Sequence, residues 1–207
     1  MGVHLEHSTC AAIVLGAGGS SRLGTPKQLV RFRGQTLIAR SINNALAVGC
    51  SPVFTVLGAN HEEIQQELIG LQTVAVSNTD WAEGMGSSIS TGMNALVLSE
   101  PSAEAVLITL CDQPLITREN LLSLVQIINH RESLVVASEY QVAGRMVRGV
   151  PAIFSAQLFS ELGGLRGAEG AKSVIMRHES RATFVEIPEA AFDLDTPDDY
   201  ESLRAME

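Results

Sequence analysis

The stretch LGAGGSSRLGTPKQLV, residues 15–30, begins where the apolar run AAIVL (11–15) ends. An apolar run that opens into a glycine-rich loop reads as a buried strand, and open α/β sheets bind ligands at that end of a strand. The loop is not a dinucleotide fingerprint, because Gly16 and Gly18 are followed by Ser21 where the third glycine belongs. It is not a Walker-type phosphate loop either, since Thr25 and Pro26 separate Gly24 from Lys27. Two readings remain. Either its backbone N–H groups approach phosphates, with Arg22 and Lys27 to neutralise them, or it is a tight turn carrying two solvated cations.

Outward from the loop, PVFTVLG (52–58), TVAVSN (73–78), AVLITL (105–110), SLVVAS (133–138) and ATFVEIP (182–188) read as further strands. Several are apolar throughout, as expected of a mainly parallel sheet covered on both faces. Helical spacing marks residues 36–49, 61–70, 88–99, 117–130, 155–164 and 168–178, with Gly49 and Gly70 at C-cap positions. The last helix starts at TPDDY: Thr196 is its N-cap, Pro197 its first helical residue, and Asp199 completes a capping box. No repeat or linker interrupts this order. Residues 1–207 are therefore expected to form a single three-layer α/β domain, with the irregular segment 139–151 passing over one edge of the sheet.

Composition narrows the function. Hydrophobic residues make up 45% of the chain and charged ones 18%, which fits a globular protein with a sizeable core. A net charge of −9 argues against nucleic acid as the main partner, although a small polyanion can still bind locally. No run is long enough to span a membrane. The opening MGVHLEHSTC lacks the pattern of a secretory signal, and Glu6 stands where a myristoylation motif wants Ser or Thr. Cys10, Cys50 and Cys111 are odd in number and far apart, and the histidines, His130 among them, show no zinc spacing. The expected location is the cytoplasm.

Four motifs carry a resemblance. LGAGGSSRLGTPKQLV is similar to LAAGxSxRxGxxKxLL, with Leu15, Ala17, Gly18, Ser20, Arg22, Gly24 and Lys27 in register and Gly16 in place of the first alanine. NTDWAEGMGSSISTGMNAL (78–96) resembles N-x-x-W-x-x-G-M-x-x-S, CDQPLIT (111–117) a strand-end aspartate motif, and DLDTPDDY (193–200) the closing D-x-D-T-P-E-D-Y. In this order they resemble the MobA-like nucleotidyltransferases of molybdenum cofactor biosynthesis, cytidylyltransferases above all. The resemblance implies a Rossmann-like fold of the nucleotide-diphospho-sugar transferase type, with a mainly parallel mixed sheet. It also implies a nucleoside triphosphate, expected to be CTP, as the ligand of the opening loop.

Asp112 lies just beyond AVLITL, so its carboxylate should face the same edge as the loop. It suits Mg²⁺, which takes one or two carboxylates plus substrate phosphates, or it is a turn-forming Asp before Gln-Pro. Asp198 and Asp199 have a sufficient reason in capping and the helix dipole. Asp193 and Asp195 alternate after an apolar strand, which puts both on one face. By resemblance, Asp193 is the second metal ligand, with Asp195 held in reserve and otherwise near the acceptor. The implied catalytic residues are Arg22, Lys27 and Asp112. The implied nucleotide contacts are Leu15, Gly16, Ala17, Gly18, Gly19, Lys27, Asn78, Gly84, Ser87 and Ser88.

The acceptor side resembles the family less closely. GRMVRGVPAIF (144–154) is similar to R-x-G-H-P-x-x-F with Val150 for histidine, and GAEGAK (167–172) to G-D-x-G-A-R with Ala168 and Lys172 substituted. Gln113, Pro114, Gly149, Val150, Pro151 and Asp195 are the implied acceptor contacts. Molybdenum–molybdopterin is the leading acceptor, and a molybdoenzyme is the implied client. A sugar- or polyol-phosphate acceptor, or a non-catalytic molybdopterin chaperone, is the alternative.

Overall fold

A computed structural model describes residues 10–128 and 133–207. The readings placed on residues 1–9 and on His130, including the end of the helix expected over 117–130, lie outside the described residues. The described residues hold nine strands: β1 (Cys10–Gly16), β2 (Arg31–Phe32), β3 (Gln35–Thr36), β4 (Val53–Leu57), β5 (Val74–Ser77), β6 (Ala105–Leu110), β7 (Val135–Val142), β8 (Arg145–Ser155) and β9 (Ala182–Glu186). The α-helices are α1 (Leu37–Ala47), α2 (His61–Glu67), α3 (Met85–Ser99), α4 (Arg118–Ile128), α5 (Phe159–Gly163), α6 (Ala171–Arg177) and α7 (Pro197–Arg204).

Seven strands form one sheet in the order β5-β4-β1-β6-β8-β7-β9, and β2 and β3 make a separate small hairpin. The sheet is parallel except at β8, which pairs antiparallel with both β6 and β7. Every residue of β1 is buried, and successive side chains of a strand face opposite ways. Ala11, Ile13 and Leu15 therefore join the core beneath α3, α5 and α6, while Ala12 and Val14 join the one beneath α1, α2 and α4. These are the two helical layers that the apolar strands called for. Thr36 caps α1 by accepting a hydrogen bond from the Ala39 N–H, and Thr196 with Asp199 forms the expected capping box of α7.

Two expectations change. The segment 139–151 does not pass over an edge: it supplies most of the long β7–β8 hairpin, and β8 inserts beside β6 in the middle of the sheet. Its polar outer half, EYQVAGRMVR, lacks alternation because it extends beyond the core, whereas VPAIF is fully buried. Asp193 and Asp195 do not directly follow a strand. A one-turn 3₁₀ helix, Pro188–Ala191, intervenes, and the extended segment after it docks by the Leu194 N–H donating to the Asp112 carbonyl at 2.8 Å.

Candidate functional site

The C-terminal ends of β1 and β6 bring the opening loop and Asp112 to one edge of the sheet. Leu15 and Gly16 belong to β1 itself, Ala17 is buried just beyond it, and Gly18 and Gly19 are exposed. Gln28, fully buried, fixes the loop: its Nε2 donates to the carbonyls of Gly16 and Gly18, both at 2.8 Å. Ser20, in the left-handed region at φ 51°, accepts the Lys27 N–H on its Oγ at 2.9 Å. With carbonyls and hydroxyl tied inward, the exposed glycines leave a backbone face toward solvent. A Cβ at Gly16 would meet Ile38 Cδ1 at 2.8 Å, so glycine there admits α1 closely against β1.

Below the loop lies an ionic cluster. Lys27 Nζ donates to Asp112 Oδ2 and, at 3.0 Å, to Asp195 Oδ1. Arg22 donates to Asp195 Oδ2 at 3.0 Å. The Arg22 side chain is 68% exposed, so this outer pair adds little stability. The Lys27 and Asp112 side chains are only 13% and 17% exposed. Burial alone lowers an ammonium's pKa, but the charges and hydrogen bonds of Asp112 and Asp195 outweigh it and hold Lys27 above its ordinary value. Asp193 keeps contact with solvent, yet desolvation and then the Asp112 and Asp195 charges push its carboxyl up to about 6, against the opposing pull of the Gln113 amide and Lys27.

A cleft of about 320 Å³ runs from this cluster along the loop to the start of α3, bounded by Ala17, Gly18, Lys27, Trp81, Met85 and Ser88 among others. Gly84 and Gly19 also line it. Asn78 is buried, and its amide is committed internally: Nδ2 donates to the Ser87 and Ser88 hydroxyls at 2.9 and 3.0 Å, and Oδ1 accepts the Asp80 N–H. Ser87 in turn donates to the carbonyls of Asp80 or Gly84, each at 2.9 Å. Asn78 and Ser87 thus hold the wall that Ser88 presents. Gly84 has φ 129°, and a Cβ on it would fall 2.4 Å from the Gly167 carbonyl, a contact only glycine permits. The 167–172 segment, expected near the acceptor, packs here against the start of α3 through the Gly86 N–H to Gly167 carbonyl bond.

On the acceptor side, Gln113 is buried and donates to the carbonyls of Ala190 at 3.0 Å and Val150 at 3.4 Å. Pro114 accepts from Arg40 Nε at 2.9 Å. Gly149, Val150 and Pro151 are buried in β8, and Ser138 Oγ donates to the Pro151 carbonyl at 2.7 Å. Of the acceptor residues read from the sequence, Asp195 is the one that reaches the ionic cluster. Five cleft residues are absent from the expected site: Trp81, Ala82, Met85, Leu110 and Cys111. Trp81 and Met85 stand in the motif at 78–96, and a tryptophan beside paired glycines was the signal available. Gln28 stood in the opening motif, but nothing local announces a buried side chain bridging two carbonyls.

The cluster can be tested for a divalent cation. Asp112 Oδ1 is buried without a hydrogen-bond partner, and hard carboxylate oxygens suit Mg²⁺ or Mn²⁺ when phosphates complete the shell. Asp112 and Asp193 fit such a role. Among the described residues, no three His, Cys, Asp or Glu side chains are already grouped to hold a metal ion. The three cysteines are free and buried. No helix among the described residues is long and apolar enough to cross a membrane.

Comparison with known proteins agrees with this architecture. The domain family described as MobA-like NTP transferase matches residues 12–182. Nicotine blue oxidoreductase of Paenarthrobacter nicotinovorans is 29% identical over 171 residues, covering 81% of each chain. Molybdenum cofactor cytidylyltransferase of Escherichia coli strain K12 is 23% identical, covering 93% of this chain and 94% of that one. The Rv0371c homologue from Mycobacterium sp. strain JC1 superposes with a TM-score of 0.76 at 31% identity, covering 97% of this chain and 99% of that one. Rv0371c of Mycobacterium tuberculosis, solved in complex with manganese, gives 0.71 at 25% identity, covering 94% and 97%.

Proposed function

The chain belongs to the MobA-like NTP transferase family, and from that premise we propose that it transfers CMP from CTP to a phosphorylated acceptor, with molybdenum–molybdopterin as the leading one. A phosphate oxygen of the acceptor attacks the α-phosphorus, the bond to the β-phosphate oxygen breaks, and pyrophosphate leaves. Such a reaction asks for in-line positioning and charge neutralisation rather than a covalent nucleophile. The observation that carries the reading is Lys27, held between Asp112 and Asp195 directly beneath the glycine loop.

The backbone N–H groups of residues 16–19 bind the β- and γ-oxygens, and Lys27 and Arg22 neutralise charge on the pyrophosphate side. Ala17 narrows the base slot, and Ser88 offers a hydroxyl to a pyrimidine edge, with Asn78 and Ser87 keeping it in place. Asp112 and Asp193 would hold Mg²⁺, which would supply Lewis-acid polarisation of the phosphates when bound. Asp195 orients Arg22 and Lys27. Gln113, Pro114, Gly149, Val150 and Pro151 shape the acceptor floor. Its product would pass to a molybdoenzyme client.

Buried Val150 favours a second reading. The side chain there lacks the polar group that the resemblance places near a pterin, which leaves room for a phosphorylated acceptor without one, such as a sugar- or polyol-phosphate. Pyrophosphate release with each triphosphate in Mg²⁺, with and without molybdenum–molybdopterin, separates these. Release that needs CTP and the pterin supports cytidylyl transfer, and release with a sugar phosphate supports the second reading. Silence with tight pterin binding would leave a cofactor chaperone. Redox turnover instead would align the protein with the name of its Paenarthrobacter relative.

A further inference from the structure

The ammonium of Lys27 sits where a cation between carboxylates belongs. It bonds to Asp112 and Asp195 at once, and its side chain is largely shielded from solvent. The second oxygen of Asp112 is buried and unpartnered. The same side chain runs beside the phosphate-facing loop, its Cε lying 3.7 Å from where a Cβ on Gly18 would stand. The four-carbon stem of lysine turns such a charge from one partner to another with little backbone change.

We propose that Lys27 is a resident counter-cation: in the nucleotide-free protein it occupies Asp112 and Asp195 and suppresses divalent-cation binding, and an arriving triphosphate draws it to the glycine loop and frees the carboxylates. Two like charges compete for one carboxylate, so the metal enters efficiently only with the polyphosphate that has taken the lysine. A lone metal ion does not trap the site. The nucleotidyl-transfer reading supplies the ligand that draws Lys27 away, but the suppression itself is measured without nucleotide or turnover.

The test is Mn²⁺ titration of nucleotide-free protein, following free Mn²⁺ by electron paramagnetic resonance. Lys27→Met should tighten Mn²⁺ binding about tenfold or more, since a neighbouring charge shifts occupancy of a carboxylate by that order. Lys27→Gln, which keeps a donor beside Asp112 but no charge, should do the same, and it decides the matter if the methionine variant does not fold. Lys27→Arg should bind Mn²⁺ as weakly as wild type. Adding Asp112→Asn to Lys27→Met should abolish the gain. Neutral variants that bind Mn²⁺ no more tightly than wild type, or a gain that survives Asp112→Asn, would overturn the proposal. Failed pyrophosphate release with this Mn²⁺ pattern intact would instead count against the proposed function alone.

Discussion

The proposed nucleotide end and the proposed acceptor end of this site are built in opposite ways. At the nucleotide end, consecutive residues do the work: β1 stops at Gly16, the next glycines are exposed, and one buried side chain, Gln28, ties their carbonyls inward. At the acceptor end, residues distant in sequence meet only because β8 inserts beside β6. They close on one another, with Gln113 donating to carbonyls of Val150 and Ala190. One end is an open backbone surface over paired charges, and the other is a packed floor. Recognition at the first is therefore sensitive to single residues. At the second, it rests more on the shape of the floor and on Asp195.

Breaking that contrast is simplest at Asp112, which joins the two ends. Asp112→Asn should leave the far-ultraviolet circular dichroism unchanged and lower turnover by about 10³-fold, because an amide neither pairs with Lys27 nor ligates a hard cation well. Turnover within a few-fold of wild type would take Asp112 out of the reaction. The base slot comes next in size. CTP should bind more tightly than GTP by roughly ten- to a hundred-fold, as unpaired polar groups at a base edge cost about 1–3 kcal/mol. A thermal-shift series with four triphosphates reads this directly, and greater stabilisation by GTP would exchange cytidylyl for guanylyl transfer.

Gln28→Leu sharpens the claim that the loop is held from inside. Losing both carbonyl partners should cost about 1–3 kcal/mol in urea unfolding and weaken triphosphate binding about tenfold. Calorimetry showing wild-type affinity would separate loop geometry from binding. The smallest effect belongs to Asp193. Asp193 has its carboxyl at about 6, above the ordinary 3.8, so the folded state holds its proton more tightly than the unfolded chain does. Its stabilising contribution is complete below pH 4 and is lost as pH rises through 6. Metal-free Asp193→Asn should then melt slightly above wild type at pH 7, solvent screening keeping the gap small, and the gap should close toward pH 4. A gap that widened on acidification would contradict the sign.

The same contrast explains what could be read from the chain alone. The strand–loop step at Leu15–Gly16, the capping box of Thr196 and Asp199, and the place of Asp112 just beyond β6 depend on neighbours in sequence and stand where expected. The ion pair of Lys27 with Asp112 instead joins residues far apart in the chain and had no local signal. The β7–β8 hairpin was illegible because its polar outer half projects past the core, so apolar periodicity fades where pairing continues. Asn78 is an expected nucleotide contact, and its amide is engaged with two serines and a backbone N–H, a commitment set by tertiary packing that the sequence does not announce. The 167–172 segment is expected near the acceptor by resemblance, and the bond from the Gly86 N–H to the Gly167 carbonyl packs it against the start of α3.

The central claim is that the triphosphate lies along the glycine loop. Amide chemical-shift mapping of ¹⁵N-labelled protein titrated with CTP and Mg²⁺ tests it most directly. The account predicts the largest shifts at residues 16–19 and at Lys27, smaller ones at Trp81 to Ser88, and little change along β8. Shifts concentrated on the β7–β8 hairpin, with the glycine amides unmoved, would contradict it.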